Sequence, residues 1–526
     1  MCSDSPPTAD ALSPSDRSEP RLHADSLADS VLILLGMAVV QRGVGFVRAV
    51  LFCRWLEPQQ LGQWDMAFSF LLIAAPLSVL ALPGAFGRYV EHFRQRGQLR
   101  TFLRRTMLVC AGTAGLASVV VFLGRRWFAA LIFGTPDDTY TVGLLAASLA
   151  AVVGFNFSIE LFTSLRNIRL VSVMHLLNSL MFAGLGVVLV LGWQPSASSV
   201  VTAYGMACLL SVIFASWWMR HLWRNTAPVD EPIGHQTFWA KLVPFAGWVL
   251  AVSVLVNLFE VVDRYMIIHY STRPAEEALA LVGNYHTSRI VPMLLVSLTA
   301  MLGAMITPHL AHDWEAGMND RVGERLRLFL KLFGFALCVG QLAVLAAAPL
   351  LFNVAMKGKF DHGLAVLPWT LTYCTWFAMA LIVQNYLWCA EKARLSSVAM
   401  AAGLLLNVVL NRALLPPLGL LGAVLATSMA NLVALGIICL FVRRLGFPFD
   451  RGVRVVLLLP PAACLGPWMM AAVLVVVGLE AAFSDHLLSP EEKREIRQVL
   501  NDYLVRFAAF RNRWYGTASA PPLTSP

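Results

Sequence analysis

The sequence predicts an all-α polytopic membrane protein: two six-helix bundles related by a pseudo-twofold axis along the membrane normal, followed by one extra hydrophobic helix and an amphipathic tail helix. Three observations carry that reading. Of the 526 residues, 58% are hydrophobic and 13% charged, with a mean hydropathy of +0.67, against roughly 25% charge in soluble domains. Thirteen apolar runs, most of about twenty residues or more, are long enough to cross ~30 Å of hydrocarbon as helices. Short markers in the first half return, in order, about 220 residues later.

Residues 1–27 are rich in Pro, Ser and Asp and contain no apolar core. They suit neither a signal peptide nor a stable helix, so a disordered cytoplasmic tail is expected. The apolar runs then lie at 28–53, 62–87, 106–124, 140–164, 170–192, 198–219, 242–269, 282–307, 332–352, 364–389, 395–411, 420–442 and 455–478. The first six form a bundle at 28–222 and the next six a bundle at 242–445, with a cytoplasmic linker at 223–241. With the amino terminus taken as cytoplasmic, 23 Lys and Arg fall in the tail and the even-numbered connections, against 7 in the odd-numbered ones. The positive-inside rule therefore keeps the amino terminus inside. The densest block is Arg88, Arg94, Arg96, Arg100, Arg104 and Arg105, which can also attract anionic headgroups. The net charge of +9 thus reports topology, not nucleic-acid binding.

The end of the chain departs from this scheme. An additional membrane helix is expected at 455–478, but Pro460, Pro461 and Pro467 interrupt its hydrogen bonding and argue against a complete crossing. An odd number of spans would also leave the basic tail outside, against the charge rule. That tail opens with Ser489-Pro490-Glu491-Glu492, a capping box with Pro at the first helical position. Ile496, Leu500, Tyr503, Phe507, Phe510 and Trp514 follow at helical spacing. An amphipathic helix on a membrane face is expected over 489–515, and a disordered end over 516–526.

The repeat is the most informative feature, because repeat-built transporters place their substrate site between the halves. Leu61-Gly62-Gln63-Trp64-Asp65 returns as Val282-Gly283-Asn284-Tyr285-His286, an offset of 221. The segment ending at Gly97 returns as the one ending at Gly317, an offset of 220. Arg169-Leu170-Val171-Ser172-Val173 returns as Arg394-Leu395-Ser396-Ser397-Val398, an offset of 225. Six spans are therefore followed by six equivalents in the same orientation.

Four stretches also carry a resemblance: QRGVGFVRAVLFCRWLEPQQLG, GRYVEHFRQRGQ, the Asp263-Arg264 pair, and the run from Asn407 to Asn431. Over about residues 28–445 the chain resembles the polysaccharide-transporter branch of the multidrug/oligosaccharidyl-lipid/polysaccharide (MOP) flippase superfamily, the branch of the Wzx-type O-antigen flippases. The resemblance implies a flippase that moves an undecaprenyl-diphosphate-linked oligosaccharide from the inner to the outer leaflet of the bacterial cytoplasmic membrane by alternating access. It implies as partners the lipid-linked oligosaccharide, membrane lipids and other polysaccharide assembly proteins. The additional run and the tail fall outside the twelve-span pattern.

Charged residues inside apolar runs are the candidate site. An arginine near a helix centre costs about 2.5–3.5 kcal/mol on insertion scales. Arg42 and Arg48 lie in the first run, Arg264 in the seventh and Arg289 in the eighth. The first two are six residues apart, about 240° around a helix, so one is expected to be satisfied inside its own bundle. Arg48 with Arg264 is the expected cavity pair, its guanidinium suited to a pyrophosphate or an acidic sugar. Asn257, Glu260 and Arg264 share one helical face, with Asp263 beside it. Two readings stand: the stripe lines a central cavity, or Glu260 and Arg264 neutralise each other at i, i+4. His286 matches Asp65 through the repeat, which opens a proton or ion relay as well as a hydrogen-bonded structural role. Glu160 and Glu391, near cytoplasmic ends, suit capping of the basic connections.

Other classes are disfavoured. The nine cysteines lie almost wholly within apolar runs, with no CxxC pair and no metal-ligand spacing, so neither metal nor cofactor is expected. A membrane-embedded glycosyltransferase or polymerase would want acidic or His-bearing motifs on long outer loops, whereas the odd-numbered connections are mostly short, with Asp137-Asp138 as an acidic pair. The chain is therefore read as a transporter and not an enzyme. A multidrug or cation exporter of the same superfamily is the alternative; it would want a dominantly acidic cavity, whereas four arginines inside the spans favour an anionic cargo.

Overall fold

The computed structural model describes residues 27–225, 234–498 and 501, and every regular element among them is helical. Calls on residues 1–26, 226–233, 499–500 and 502–526 lie outside this description. The first bundle contains α1 (Leu27–Trp55), α2 (Pro58–Ser78), α3 (Phe86–Gln95), α4 (Leu99–Leu123), α5 (Arg125–Phe133), α6 (Thr139–Ser164), α7 (Ile168–Gly192) and α8 (Ala197–Asn225). The second contains α9 (His235–Tyr270), α10 (Ala275–Glu315), α11 (Asn319–Pro349), α12 (Asp361–Cys389), α13 (Ala393–Leu418) and α14 (Leu420–Arg444). Eleven helices are long and apolar enough to cross a membrane, and the bent pair formed by α2 and α3 makes twelve spans.

That bent pair is a departure from the single second span. α2 starts where Pro58 fits the first helical turn, but Pro76 near its end has no N–H to continue the ladder. Leu80 and Ala81 then take left-handed φ values of +50° and +48°, a conformation that costs non-glycine residues about 1 kcal/mol each. A short 3₁₀ turn, Leu82–Ala85, redirects the chain by 61° into α3. Its counterpart α10 runs unbroken over 41 residues.

The repeat is visible in the way helices end. Gly97 and Gly317 both adopt positive φ after α3 and α10. In each case the following N–H reaches five residues back, Gln98 to Phe93 at 2.8 Å and Met318 to Asp313 at 3.0 Å, a glycine-terminated helix cap. Arg166 and Glu391, 225 residues apart, repeat the same closure after α6 and α12 with φ of +59° and +56°. The halves meet where α2 crosses α10. A Cβ on Gly62 would lie 1.9 Å from the Leu279 carbonyl oxygen, and a Cβ on Gly283 2.0 Å from that of Pro58. Pro58 and Leu279 are themselves repeat equivalents, so the contact is reciprocal about the pseudo-twofold axis.

Apolar packing shows that the halves are joined unequally. One core fills the first bundle and continues into the second through Ile267, Val282, Phe352 and Phe360, at the end bearing the odd-numbered connections. At the opposite end the second bundle has its own core, including Val322, Leu326, Ile382 and Val442. The start of α9 is the exception: Phe238 leaves its own bundle to pack on Phe93 and Phe102. Polar bonds follow the same division. Arg54 reaches the carbonyls of Val354 and Ala355 at 3.4 and 3.3 Å, in a π-helical turn after α11. Lys359 pairs with Glu57 at 2.7 Å, and His269 bonds the Leu131 carbonyl at 2.8 Å. Near the other end Tyr89 donates to the Lys241 carbonyl at 3.1 Å.

The thirteenth apolar run is a hairpin. α15 (Arg451–Leu458) gives way to a 3₁₀ turn, Pro460–Leu465, and α16 (Pro467–Phe483) then runs back. The turn docks halfway along α12, where Thr372 bonds the Pro460 carbonyl and Trp376 the Leu457 carbonyl. Both ends of the hairpin return to one place: Gly452 lies so close to Leu487 that a Cβ would sit 2.2 Å from its carbonyl oxygen. Lys331 of α11 ties them together by pairing with Asp450 before the hairpin and with Glu492 after it. The capping box forms, with Ser489 N–H on Glu492 and Glu492 N–H on Ser489 Oγ, and a helix follows over 490–498. The rest of the expected tail helix lies outside the described residues.

Candidate functional site at the bundle interface

Midway along the crossing of α2, α9 and α10 a buried charged node joins the two halves. Asp65 of α2 is 1% exposed. It accepts from His286 Nδ1 of α10 at 2.8 Å and pairs with Arg264 Nε of α9 at 2.6 Å. Arg264, 5% exposed, also donates to Ser69 Oγ at 3.0 Å. One carboxylate of the first half therefore holds two cationic or polar groups of the second. Leaving any one of them unpaired in this setting costs several kcal/mol, on the order of 3–5.

Pro76 explains the next contact. A proline has no N–H, so the carbonyl four residues earlier, Leu72, lacks its helical donor. Asn257 of α9 supplies one, its Nδ2 lying 3.0 Å from the Leu72 oxygen. The polar stripe Asn257–Glu260–Arg264 thus turns toward α2 and α10. Glu260 does not pair with Arg264 as the i, i+4 reading supposed; it faces Arg289 of α10, with Oε1 3.8 Å from Nη2.

Asp263 points into the second bundle. Tyr285 and Thr427 donate to its Oδ2 at 2.8 and 2.6 Å, and Asn407 and Asn411 to its Oδ1, each at 2.9 Å. Four neutral donors hold this carboxylate, and sequence reading missed all of them. The signal was available: Asn407 and Asn411 stand at i, i+4 in an apolar run and must find buried partners. Tyr285 extends the network to the Tyr373 hydroxyl at 3.2 Å. Among the described residues no group of three or more His, Cys, Asp or Glu is placed to hold a metal ion.

The arginines of the first span lie elsewhere. Arg48 packs its guanidinium 4.1 Å from the Phe182 ring centroid on α7, a cation–π contact within its own bundle. Of the two arginines expected to line the cavity together, Arg264 is held by Asp65 and Arg48 by the aromatic wall of its own bundle. Arg42 is the exposed one of the two. Glu160, with Asn156 and Asn257, lines a cavity of about 280 Å³ beside the α2 bend.

Solved structures share this architecture. A lipid II flippase MurJ in an inward closed conformation superposes with a TM-score of 0.66 at 13% identity, covering 87% of this chain and 100% of that one. An inward-facing multidrug resistance MATE family transporter of the MOP superfamily gives 0.61 at 12% identity, covering 77% and 95%. Two repeat-related bundles meeting at a charged node thus give this chain the fold of these flippases and transporters. The sequence model of the family described as Polysaccharide biosynthesis protein matches residues 27–312, and the chain belongs to that family. It is also 22% identical over 434 residues to lipid II flippase MurJ of Bacillus subtilis (strain 168), spanning 74% of this chain and 78% of that protein.

Proposed function

We propose that the protein flips a lipid-linked oligosaccharide carried on undecaprenyl diphosphate, a surface-polysaccharide precursor, from the inner to the outer leaflet of the bacterial cytoplasmic membrane. The amino terminus faces the cytoplasm in this reading, so the sealed, odd-numbered end is the outer one. The observation that carries it is the unequal joining of the halves. They share one core and three polar ties at the outer end, yet at the inner end most of the second bundle packs on a core of its own while the start of α9 crosses to the first. That is the arrangement expected of one state of an alternating-access cycle about a central node. The relatives named as lipid II flippases support a lipid-linked cargo, and membership of the polysaccharide biosynthesis family supports a glycan. Arg42, Asn257, Glu260 and Arg289 are the cavity residues proposed to meet cargo.

The Asp65–His286 contact is proposed as the coupling element. It is the bond across the axis that a proton strengthens, since a protonated His286 adds a charge-assisted bond to Asp65. Arg264 from α9 shares the carboxylate, and Arg289 from α10 lies nearby. Deleting the gene tests the main reading. Surface polysaccharide should disappear while lipid-linked precursor collects in the inner leaflet; normal export in a strain with no paralogue would sink it.

A further inference from the structure

The second bundle contains a passage that the interface node does not use. Its deep end is a cavity of about 70 Å³ bounded by Glu260, Asp263, Tyr285, Arg289 and Tyr373. Val256, Phe259, Phe377, Met400 and Asn431 line both this cavity and a groove of about 340 Å³ that continues from it. The groove ends beside Trp248, Trp388 and Arg394, toward the even-numbered connections. Trp248 is 61% exposed and Trp388 48% exposed, although each lies on a membrane-spanning helix.

Arg289 at the deep end is 8% exposed, and neither its Nε nor its Nη1 has a hydrogen-bond partner. Its contact with Glu260, at 3.8 Å, is too long for a hydrogen bond. The Tyr285 ring faces the guanidinium, 5.3 Å from its Cζ to the ring centroid, but takes none of its five in-plane donors. Asp263 already receives four donors and the Tyr285 hydroxyl is committed to Asp263 and Tyr373, which leaves the Glu260 carboxylate, 3.8 Å away on the same cavity, as the counter-charge that an incoming oxyanion displaces. Unmet donors on a buried cation facing a cavity are the mark of a site for an oxyanion. The groove says what the oxyanion is attached to. Tryptophan faces offer rigid apolar platforms with little entropy to lose, and the Gln384 and Asn431 amides stand among them to meet hydroxyls.

We propose that the carboxy-terminal bundle holds a binding site for an acidic saccharide, with Arg289 as its buried anion anchor and Trp248 and Trp388 as ring platforms at its mouth. The inference rests on the reading of the chain as a glycan transporter and narrows the cargo to sugars bearing a carboxylate or a phosphate. The anion sits on Arg289, and the pyranose extends down the groove toward Trp388.

Full-length protein in nanodiscs, titrated calorimetrically, tests it with four probes: glucuronate, glucose 1-phosphate, glucose and inorganic phosphate. At least one acidic sugar should bind saturably, with glucose weaker by about tenfold or more, because charge-assisted bonds to arginine carry the difference. The tighter of the two acidic sugars assigns the anion to a carboxylate or to a phosphate. Arg289→Gln should remove the preference over glucose. A Trp248→Leu, Trp388→Leu double variant should weaken sugar binding while leaving inorganic phosphate unaffected. Where Arg289→Gln does not yield a monodisperse protein, Met400→Trp, which plugs the junction of cavity and groove, should abolish binding instead. No saturable binding by folded wild type, binding of inorganic phosphate alone, or wild-type affinity in folded Arg289→Gln or Met400→Trp would each overturn the proposal. The titration involves no flipping, so its failure is separable from that of the precursor-accumulation test.

Discussion

Asn257 donates its side-chain amide to the Leu72 carbonyl, the carbonyl of α2 that Pro76 leaves without a helical donor. A proline in one half thus creates the acceptor that an asparagine in the other half fills. Asn257→Leu should reduce thermal stability by about 1–3 kcal/mol, the cost of stranding a buried acceptor. Adding Pro76→Ala, which restores the helical donor, should recover most of that loss. Thermal unfolding in detergent checks both; an additive double variant would show that the two residues act independently.

Gly62 and Gly283 should tolerate no side chain. With a Cβ 1.9–2.0 Å from a backbone oxygen on either side, Gly62→Val or Gly283→Val must push α2 from α10. Overpacking of this kind costs about 1–3 kcal/mol, and here the displacement falls on the axis between the halves. Transport should be lost with either variant at near-normal expression. Full export by Gly283→Val would contradict the close crossing.

Charge balance at the node gives a third test. Asp65→Asn leaves Arg264 buried without its counter-charge and should cost about 3–5 kcal/mol, seen as poor membrane accumulation. The double variant Asp65→Asn, Arg264→Gln removes both charges and should accumulate better than the single one. Equal loss in the two would assign the single-variant defect to something other than the ion pair.

His286→Gln keeps a hydrogen-bond donor for Asp65 but cannot titrate near neutrality. If His286 couples protons to transport, the pH dependence of wild-type export should flatten in the variant to less than about twofold between pH 6 and pH 8. Unaltered pH dependence, measured on precursor translocation in vesicles, would leave His286 a structural ligand of Asp65.

How much of this was legible beforehand depends on what the letters encode. The twelve spans follow from apolar length, and the equivalence of Asp65 and His286 follows from the 221-residue offset, but their contact does not, because equivalent positions touch only where both helices cross at the axis. The bend in the second span was not legible, since it is made by Leu80 and Ala81 in a conformation neither residue favours. Only Pro76 and Pro83 on either side hint at it. The fate of Arg48 was also hidden: an aromatic ring satisfies a guanidinium as a carboxylate does, and Phe182 in an apolar run looks like any other lipid-facing residue. Asp263 was seen as part of a charged face, but its four neutral donors come from three other helices.

The hairpin predicts the location of the end of the chain. Ser484→Cys should resist an impermeant thiol reagent in intact cells under conditions that label Ser196→Cys in the fifth connection. Labelling of both would mean that α15 and α16 together cross the membrane.

Because the hairpin enters and leaves at one surface, its insertion drags no charge through the hydrocarbon. Asp450, Arg451 and Arg454 stay on the near side with Asp485 and Glu492, so this segment needs no translocation step of its own and can seat after the bundles have assembled. Its seat is prepared: Thr372 and Trp376 offer donors on the wall of α12, and Lys331 waits on α11. Until Asp450 and Glu492 arrive together, that ammonium and the neighbouring Arg327, which shares both carboxylates, are two cations without counter-charge. A chain that terminates before Asp450 would therefore leave these cations unpaired, and the cost of that charge falls on the truncated form alone.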